Sequence, residues 1–227
     1  MNIVHISDMH GMYRGLKLPP GDMIVCSGDF AARGTEDDII EFIDWFKDLK
    51  YKYKIFIAGN HDRYMEVYPE EAKKLLEGTD IIYLNDSGVT IKGIKFWGSP
   101  VQPQFNNWAF NRARNSLDAY VCMRTGRTTM HPLIKPHWDK IPEDTDVLIT
   151  HGPPAKILDE VMRGPVGCEE LAKAVARVKP EIHMFGHIHE GYGELHKDGT
   201  SYYNGSCCDA NYRPINEVRV IYIEDKK

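Results

Sequence analysis

Five short apolar runs in this chain each end in a small group of acidic, amide or imidazole side chains. Ile3–Ile6 runs into Asp8-Met9-His10, Ile24–Cys26 into Gly28-Asp29, and Ile55–Ile57 into Gly59-Asn60-His61-Asp62. Val147–Thr150 runs into His151-Gly152, and Ile182–Phe185 into Gly186-His187-Ile188-His189. Runs of this length bounded by Gly, Asp, Asn or His have the form of buried strands. Between them lie helical patterns at Glu36–Leu49, Pro69–Leu76 and Gly167–Val178. The first carries Ile39, Ile40, Phe42, Ile43 and Phe46 on one stripe, with Thr35 as its cap. A further strand is expected at Ile81–Leu84. Two hairpins follow, Val89–Ile91 with Ile94–Gly98 and Gly193–His196 with Ser201–Asn204, and then a last strand at Val218–Ile223. Alternating elements with late hairpins predict an α/β class chain, a layered sandwich of two mixed β-sheets. In such sheets ligands bind beyond the carboxyl ends of strands, so all five blocks can meet along one edge.

The donors in these blocks are Asp8, His10, Asp29, Asn60, His151, His187 and His189, with no cysteine among them. Oxygen and imidazole donors suit manganese, iron, zinc, nickel or cobalt rather than a thiolate site. Seven exceed what one tetrahedral ion uses, and they fit two divalent ions sharing a carboxylate. Such a pair, about 3.5–4 Å apart, clamps a phosphoryl group and generates hydroxide near neutral pH. Taken singly the blocks say less. Asp8 and Asp29 read equally well as turn residues, Asn60 as a left-handed turn position, and His61 as a satisfied structural histidine. His5, His131, His137, His183 and His196 carry the ordinary structural reading. Cys207 and Cys208 read as packing residues.

The chain has 227 residues, 42% of them hydrophobic and 27% charged, which suits one domain spanning 1–227. A formal net charge of −5 argues against a grip on long nucleic acid, although bound cations would change the sign locally. Five cysteines with no CxxC pair give no disulfide framework, so a reducing, cytoplasmic setting is expected. The run at residues 1–11 is broken by His5 and Asp8, and no window reaches 18 apolar residues, so neither a signal peptide nor a membrane span is expected. The segment at about 112–136 reads as an inserted lid or loop, with a helix at Ala113–Met123 and exposed polar chain after Gly126. Its Arg112, Arg114, Arg124 and Arg127 reach phosphate oxygens only if it folds over the cleft. Oligomeric state is not encoded in any of these features.

In order, DxH, GDx, GNHD, a later His and GHxH resemble the signature blocks of the calcineurin-like metallophosphoesterase superfamily. They stand here as Asp8-Met9-His10, Gly28-Asp29, Gly59-Asn60-His61-Asp62, His151 and Gly186-His187-Ile188-His189. The strings YKYKIFIAGNHD, DVLITHGPP and GHIHEGYG, with Gly98-Ser99-Pro100 through Phe105-Asn106-Asn107-Trp108-Ala109-Phe110-Asn111, look like the metallophosphoesterase-domain-containing (MPPED-type) cyclic-nucleotide phosphodiesterases. The resemblance implies a layered αββα sandwich of two mixed β-sheets flanked by helices. It implies one metal held by Asp8, His10, Asp29 and His189, and a second by Asp29, Asn60, His151 and His187, with Asp29 bridging. His61 would protonate the leaving oxygen while Asp62 orients its ring, and metal-bound hydroxide would attack phosphorus. Some members of the group carry Gly where His187 stands, so His187 implies a complete second site, two metals and full activity. Manganese is the expected metal.

The resulting expectation is a hydrolase of small phosphodiesters or nucleotides, with 2′,3′- or 3′,5′-cyclic nucleotides among the substrates. A phosphomonoesterase or protein phosphatase is the alternative, and a non-catalytic binding scaffold the least favoured reading. Asn60, His61, Trp108 and Phe110 are the expected substrate contacts. Trp108, Phe105 and Phe110 stack on a base in that reading, although core packing explains them equally well.

Overall fold

A computed structural model describes residues 1–116 and 132–226. Two sheets carry the fold. In the first, β1 (Asn2–Ile6), β2 (Met23–Cys26), β3 (Tyr53–Phe56) and β4 (Ile81–Tyr83) run parallel, and β15 (Arg219–Tyr222) adds an antiparallel edge beside β1. In the second, β6 (Ile94–Ser99), β9 (Val147–Thr150), β12 (Ile182–Phe185) and β14 (Thr200–Asn204) are parallel. Antiparallel strands close it at either side, β5 (Ser87–Ile91) on β6 and β13 (Gly193–Lys197) on β14. Two short pairs, β7 (Gln102–Pro103) with β8 (Asn111–Arg112) and β10 (Glu160–Val161) with β11 (Gly164–Pro165), lie outside the main sheets.

The period of two along each strand sorts side chains into three layers of core. Ile3, Met23, Val25 and Ile55 of the first sheet meet Phe96, Val147, Ile149 and Met184 of the second. Their strand neighbours Val4, Ile24, Cys26 and Phe56 face the other way, onto Ile39, Phe42, Ile43 and Phe46 of helix α1 (Glu36–Asp48). Leu148 and Phe185 likewise face Leu171, Ala174, Val175 and Val178 of the helix Glu169–Val178. Both sheets are therefore covered on both faces, which is why their strands read as continuous apolar runs. This is the expected αββα sandwich of two mixed sheets.

Helix α1 begins in a capping box. The Asp38 amide donates to the Thr35 hydroxyl at 3.3 Å, and the Thr35 amide donates to the Asp38 carboxylate at 3.1 Å. Its buried stripe includes Phe42, stacked on Phe30 at 3.9 Å between ring centroids. Truncating a ring so enclosed costs about 3–5 kcal/mol.

Most of the segment at about 112–136 lies outside the described residues, including the expected helix beyond Ser116, with Arg124 and Arg127. Arg112 does not reach toward phosphate. Its guanidinium pairs with Glu66 at 3.0 Å and donates to the His137 ring at 3.1 Å. Arg114 lines the main cavity, but its guanidinium is engaged by the Gly167 and Val166 carbonyls and by Glu169. No described helix is long and apolar enough to cross a membrane.

Candidate metal centre

The parallel strands of both sheets deliver their carboxyl ends to one edge, and there the chain turns sharply. Asp8, His10, Asp29 and His187 all adopt positive φ, at 53°, 45°, 51° and 67°. Residues with a Cβ adopt this region at a cost, so their clustering marks a site whose surroundings over-determine the backbone. The turns are zipped together by main-chain bonds. The Asp8 amide donates to the Gly28 carbonyl and the His10 amide to the Asp29 carbonyl, both at 3.0 Å. Gly59 and Gly186 make room for the donors. A Cβ on Gly59 would lie 2.3 Å from Asp29 Oδ1, and one on Gly186 2.1 Å from Asp8 Oδ2. No side chain fits at either position.

The converging side chains form two groups that meet at Asp29. Asp8, His10 and His189 bring ligand atoms within 4.8 Å of one another, as do Asp29, His151 and His187. Asp29 also forms such a group with His10 and His61, so its carboxylate stands between the two clusters. Individual approaches are close. His10 Nε2 is 3.2 Å from His189 Nε2, Asp8 Oδ1 is 3.6 Å from His189 Nε2, and Asp29 Oδ1 is 3.4 Å from His151 Nε2. Asn60 Oδ1 is 3.0 Å from His151 Nε2. All seven expected ligands are thus brought together.

Three of these donors, His151, His189 and Asp8, are tied down at the back. His151 Nδ1 lies 2.9 Å from the Ser27 carbonyl and His189 Nδ1 lies 2.9 Å from the Asp209 carbonyl, which directs both Nε2 atoms inward. Asp8 Oδ2 accepts from the His187 amide at 2.9 Å and from the Ser206 hydroxyl at 2.8 Å. Its Oδ1 is buried and receives no hydrogen bond. A buried carboxylate oxygen left this way, facing imidazoles, fits a cation in the centre. Two oxygen- and nitrogen-rich groups with Asp29 between them fit two such ions.

Electrostatics point the same way. Burial opposes charge on Asp8, but the facing His189 imidazole, 3.6 Å from Oδ1, outweighs it and holds the carboxyl well below the usual carboxylate range. At Asp29 burial is likewise outweighed, chiefly by His151. The partners respond in kind. Against their own burial, Asp29 lifts His151 to about 9 and Asp8 lifts His189 to about 9. Burial pushes His10 down to about 4 and His187 to about 3. The metal-free cluster therefore stores two protons, on His151 and His189, where cations would otherwise sit.

His61 stands beside these ligands. Its ring stacks on Trp108 at 4.2 Å and meets the edge of His10 at 4.5 Å. The expected orienting contact from Asp62 is absent. Asp62 accepts from the amides of Gly59 at 2.7 Å, Ala31 at 2.8 Å and Asp29 at 2.9 Å, and His61 Nδ1 has no hydrogen-bond partner. Asp62 fastens the loops carrying Asp29 and Asn60. The sequence places a carboxylate next to a histidine, but the turn points that carboxylate inward, away from the ring. Phe110, expected to touch substrate, is buried among the core residues beneath α1, and Trp108 backs His61 without lining the cavity.

A cavity of about 540 Å³ opens over the metal ligands. Asn60 and His61 line it with Phe105, Met162 and Tyr212. Sequence reasoning missed Ser206, Asp209, Tyr212 and the β10–β11 hairpin. One signal was available: β14 also ends in a small polar block, Gly205-Ser206, like the other strands of its sheet. His5 and His183, read as structural, are buried and bonded to the Ser27 and Thr150 hydroxyls at 2.7 and 2.8 Å.

Comparison with known proteins agrees with this geometry. The family model for calcineurin-like phosphoesterases matches residues 1–191. The human metallophosphoesterase domain-containing protein 1 is 37% identical over 242 aligned residues, covering 96% of this chain and 69% of that protein. UPF0046 protein K07C11.7 of Caenorhabditis elegans is 31% identical, covering all of this chain and 76% of its own length. Among solved structures, the phosphopantetheinyl hydrolase of Mycobacterium tuberculosis superposes with a TM-score of 0.63 at 14% identity, over 98% of this chain and 96% of that one. On its motif order, its strand-end ligand clusters and these matches, the chain belongs to the calcineurin-like phosphoesterase family.

Proposed function

We propose that this metal-dependent phosphoesterase acts on small phosphodiesters, with 2′,3′- and 3′,5′-cyclic nucleotides among its substrates. The observation that carries the reading is the pair of donor clusters with Asp29 standing between them, at the floor of a cavity of small-molecule size, about 540 Å³. Asp8, His10, Asp29 and His189 would hold one divalent ion, and Asp29, Asn60, His151 and His187 the other, manganese being the first choice over iron, zinc, nickel or cobalt. When bound, the ions supply Lewis acidity toward the phosphoryl oxygens and lower the pKa of water.

The chain's own residues do the rest. Asn60 contributes its carboxamide oxygen to the second cluster and places its amide group at the cavity wall. His61 lines the cavity and is held by Trp108 at its face and His10 at its edge, so its ring is fixed where a departing alkoxide needs a proton. Asp62 keeps the Asp29 and Asn60 loops in register. The cavity reaches to either side of the ligand clusters, to Phe105 beside His187 and to Tyr212 beside His10 and His189, which gives room for two ester arms. Free, buried thiols at Cys26, Cys168, Cys207 and Cys208 support a reducing, cytoplasmic setting.

The test is hydrolysis of bis(4-nitrophenyl) phosphate against 4-nitrophenyl phosphate with manganese, iron, cobalt, nickel or zinc added. Faster turnover of the diester, abolished by chelation, is expected. Preference for the monoester would make the chain a phosphomonoesterase instead, and no turnover with any of the metals would reject the reading.

A further inference from the structure

Four of the eleven large apolar side chains exposed among the described residues line a single recess. Phe105 and Tyr212 are each 52% exposed and Met162 is 99% exposed, and all three line the cavity over the metal ligands. They come from unrelated segments. Phe105 lies between β7 and β8, Met162 sits in the turn between β10 and β11, and Tyr212 follows β14. Scattered exposed apolar residues need no explanation, but four on a single recess do, the fourth being Val166 beside the same hairpin.

The two rings sit on opposite sides of the donor cluster. Phe105 meets His187 edge-on, with centroids 5.9 Å apart and planes at 82°. Tyr212 meets His10 at 4.8 Å and His189 at 5.2 Å. Tyr212 is also held at φ 58°, an uncommon conformation for a bulky residue. A small staple enforces it. The Asp209 carboxylate accepts from the amides of Asn211 and Arg213 and from the Arg213 guanidinium, while the Tyr212 amide donates to the Asp209 carbonyl. That same carbonyl lies 2.9 Å from His189 Nδ1, so the ring of Tyr212 and the ligand His189 are positioned by one residue. Backbone strain maintained to place an exposed ring beside the ligands indicates a use for that ring.

We infer that Phe105 and Tyr212 are specificity-determining residues, each offering its ring to a planar, apolar group on the ester arm at its own side of the donor cluster, with Met162 at the hairpin tip adding apolar surface to the cavity wall. The substrate class is therefore a phosphoester carrying an aromatic or heteroaromatic ring close to phosphorus, as opposed to a compact sugar or alkyl phosphate. This rests on the phosphodiesterase reading for the location of the phosphoryl group, but it concerns binding and not turnover.

Binding of phenylphosphonate and methylphosphonate to the manganese-loaded protein, followed by calorimetry, tests it. The two ligands share the anionic head and differ only in the ring. Phenylphosphonate should bind about tenfold more tightly, the scale of one favourable ring contact with its apolar burial. Tyr212→Ala and Phe105→Ala should each narrow that ratio, whereas Tyr212→Phe should preserve it; metal content by elemental analysis should be unchanged in all three. Equal affinity of the wild-type protein for both ligands, or a ratio unchanged in Tyr212→Ala and Phe105→Ala, would overturn the inference. Diester turnover by the same preparation reports separately on the phosphodiesterase reading. Discrimination without turnover sinks that reading alone, and turnover without discrimination sinks only the ring pocket.

Discussion

Replacing Asp62 separates two roles that the sequence leaves open, because the carboxylate is fully buried and all its bonds are to main-chain amides. Asp62→Asn keeps the shape, but its NH2 must face either the Ala31 amide or the pair from Asp29 and Gly59. At least one buried N–H then points at another donor. One such unsatisfied group costs about 1–3 kcal/mol, and because burial and the Asp29 charge push the Asp62 carboxyl well above the usual carboxylate range, a neutral side chain recovers part of it, which puts the net loss at about 1–2 kcal/mol. Asp62→Ala abandons all three donors, and even if water fills part of the void the loss is about 3–5 kcal/mol. Against a domain stability of about 5–15 kcal/mol the second change is severe. Urea denaturation of the metal-free protein gives both values from the midpoint and slope. Metal affinity should fall in parallel, since Asp29 and Asn60 lose their fastening. If Asp62→Asn were as stable as the parent and slowed only esters with poor leaving groups, Asp62 would be acting on His61, and the loop-tie argument would be wrong.

Other outcomes follow from the same geometry. Asp29→Ala should bring the metal content of the purified protein to near zero at both positions, because its carboxylate groups with His151 and His187 on one side and with His10 on the other; one ion retained at full occupancy would remove Asp29 from the shared position. His61→Ala should keep its metal while turnover drops by about 10²–10⁴-fold, most for poor leaving groups; metal loss would make His61 a ligand, as its grouping with His10 and Asp29 allows. Metal binding should release about two protons near neutral pH, one each from His151 and His189, with pKa values of about 9. Calorimetry in buffers of different ionisation enthalpy counts them, and a count of zero would mean both rings are already neutral. The same two histidines stabilise the metal-free fold fully below pH 6.5, their unfolded value, and lose that contribution as pH rises toward 9. A metal-free protein equally stable at pH 6.5 and 9 would contradict this.

The donors were legible because each sits one to four residues past a strand that announces itself by composition. Asp8, Asp29, Asn60, His151, His187 and His189 need only the topology to meet, and a parallel sheet supplies it. The strands were legible for the same reason: burial on both faces leaves runs such as Met23–Cys26 and Ile182–Phe185 without polar interruption, apart from a bonded His183. What was not legible depends on direction. Asp62 and His61 are neighbours in sequence, yet the turn sends one side chain to three amides and the other to Trp108. Phe105 and Phe110 are five residues apart in one aromatic loop, and one faces the cavity while the other is 2% exposed in the core. Their residue types carry no information about that division, which is set by the β7–β8 pairing and by the Phe110 amide donating to Glu66 at 2.7 Å. Tyr212 is hidden for a further reason. Its role rests on a left-handed backbone that Asp209 enforces, and a Tyr at positive φ contradicts local preference. Metal ligands are constrained by their own chemistry and so appear in composition and spacing. A substrate wall is constrained only by where its surfaces end up, so the part of this site that decides what is hydrolysed emerges only in three dimensions.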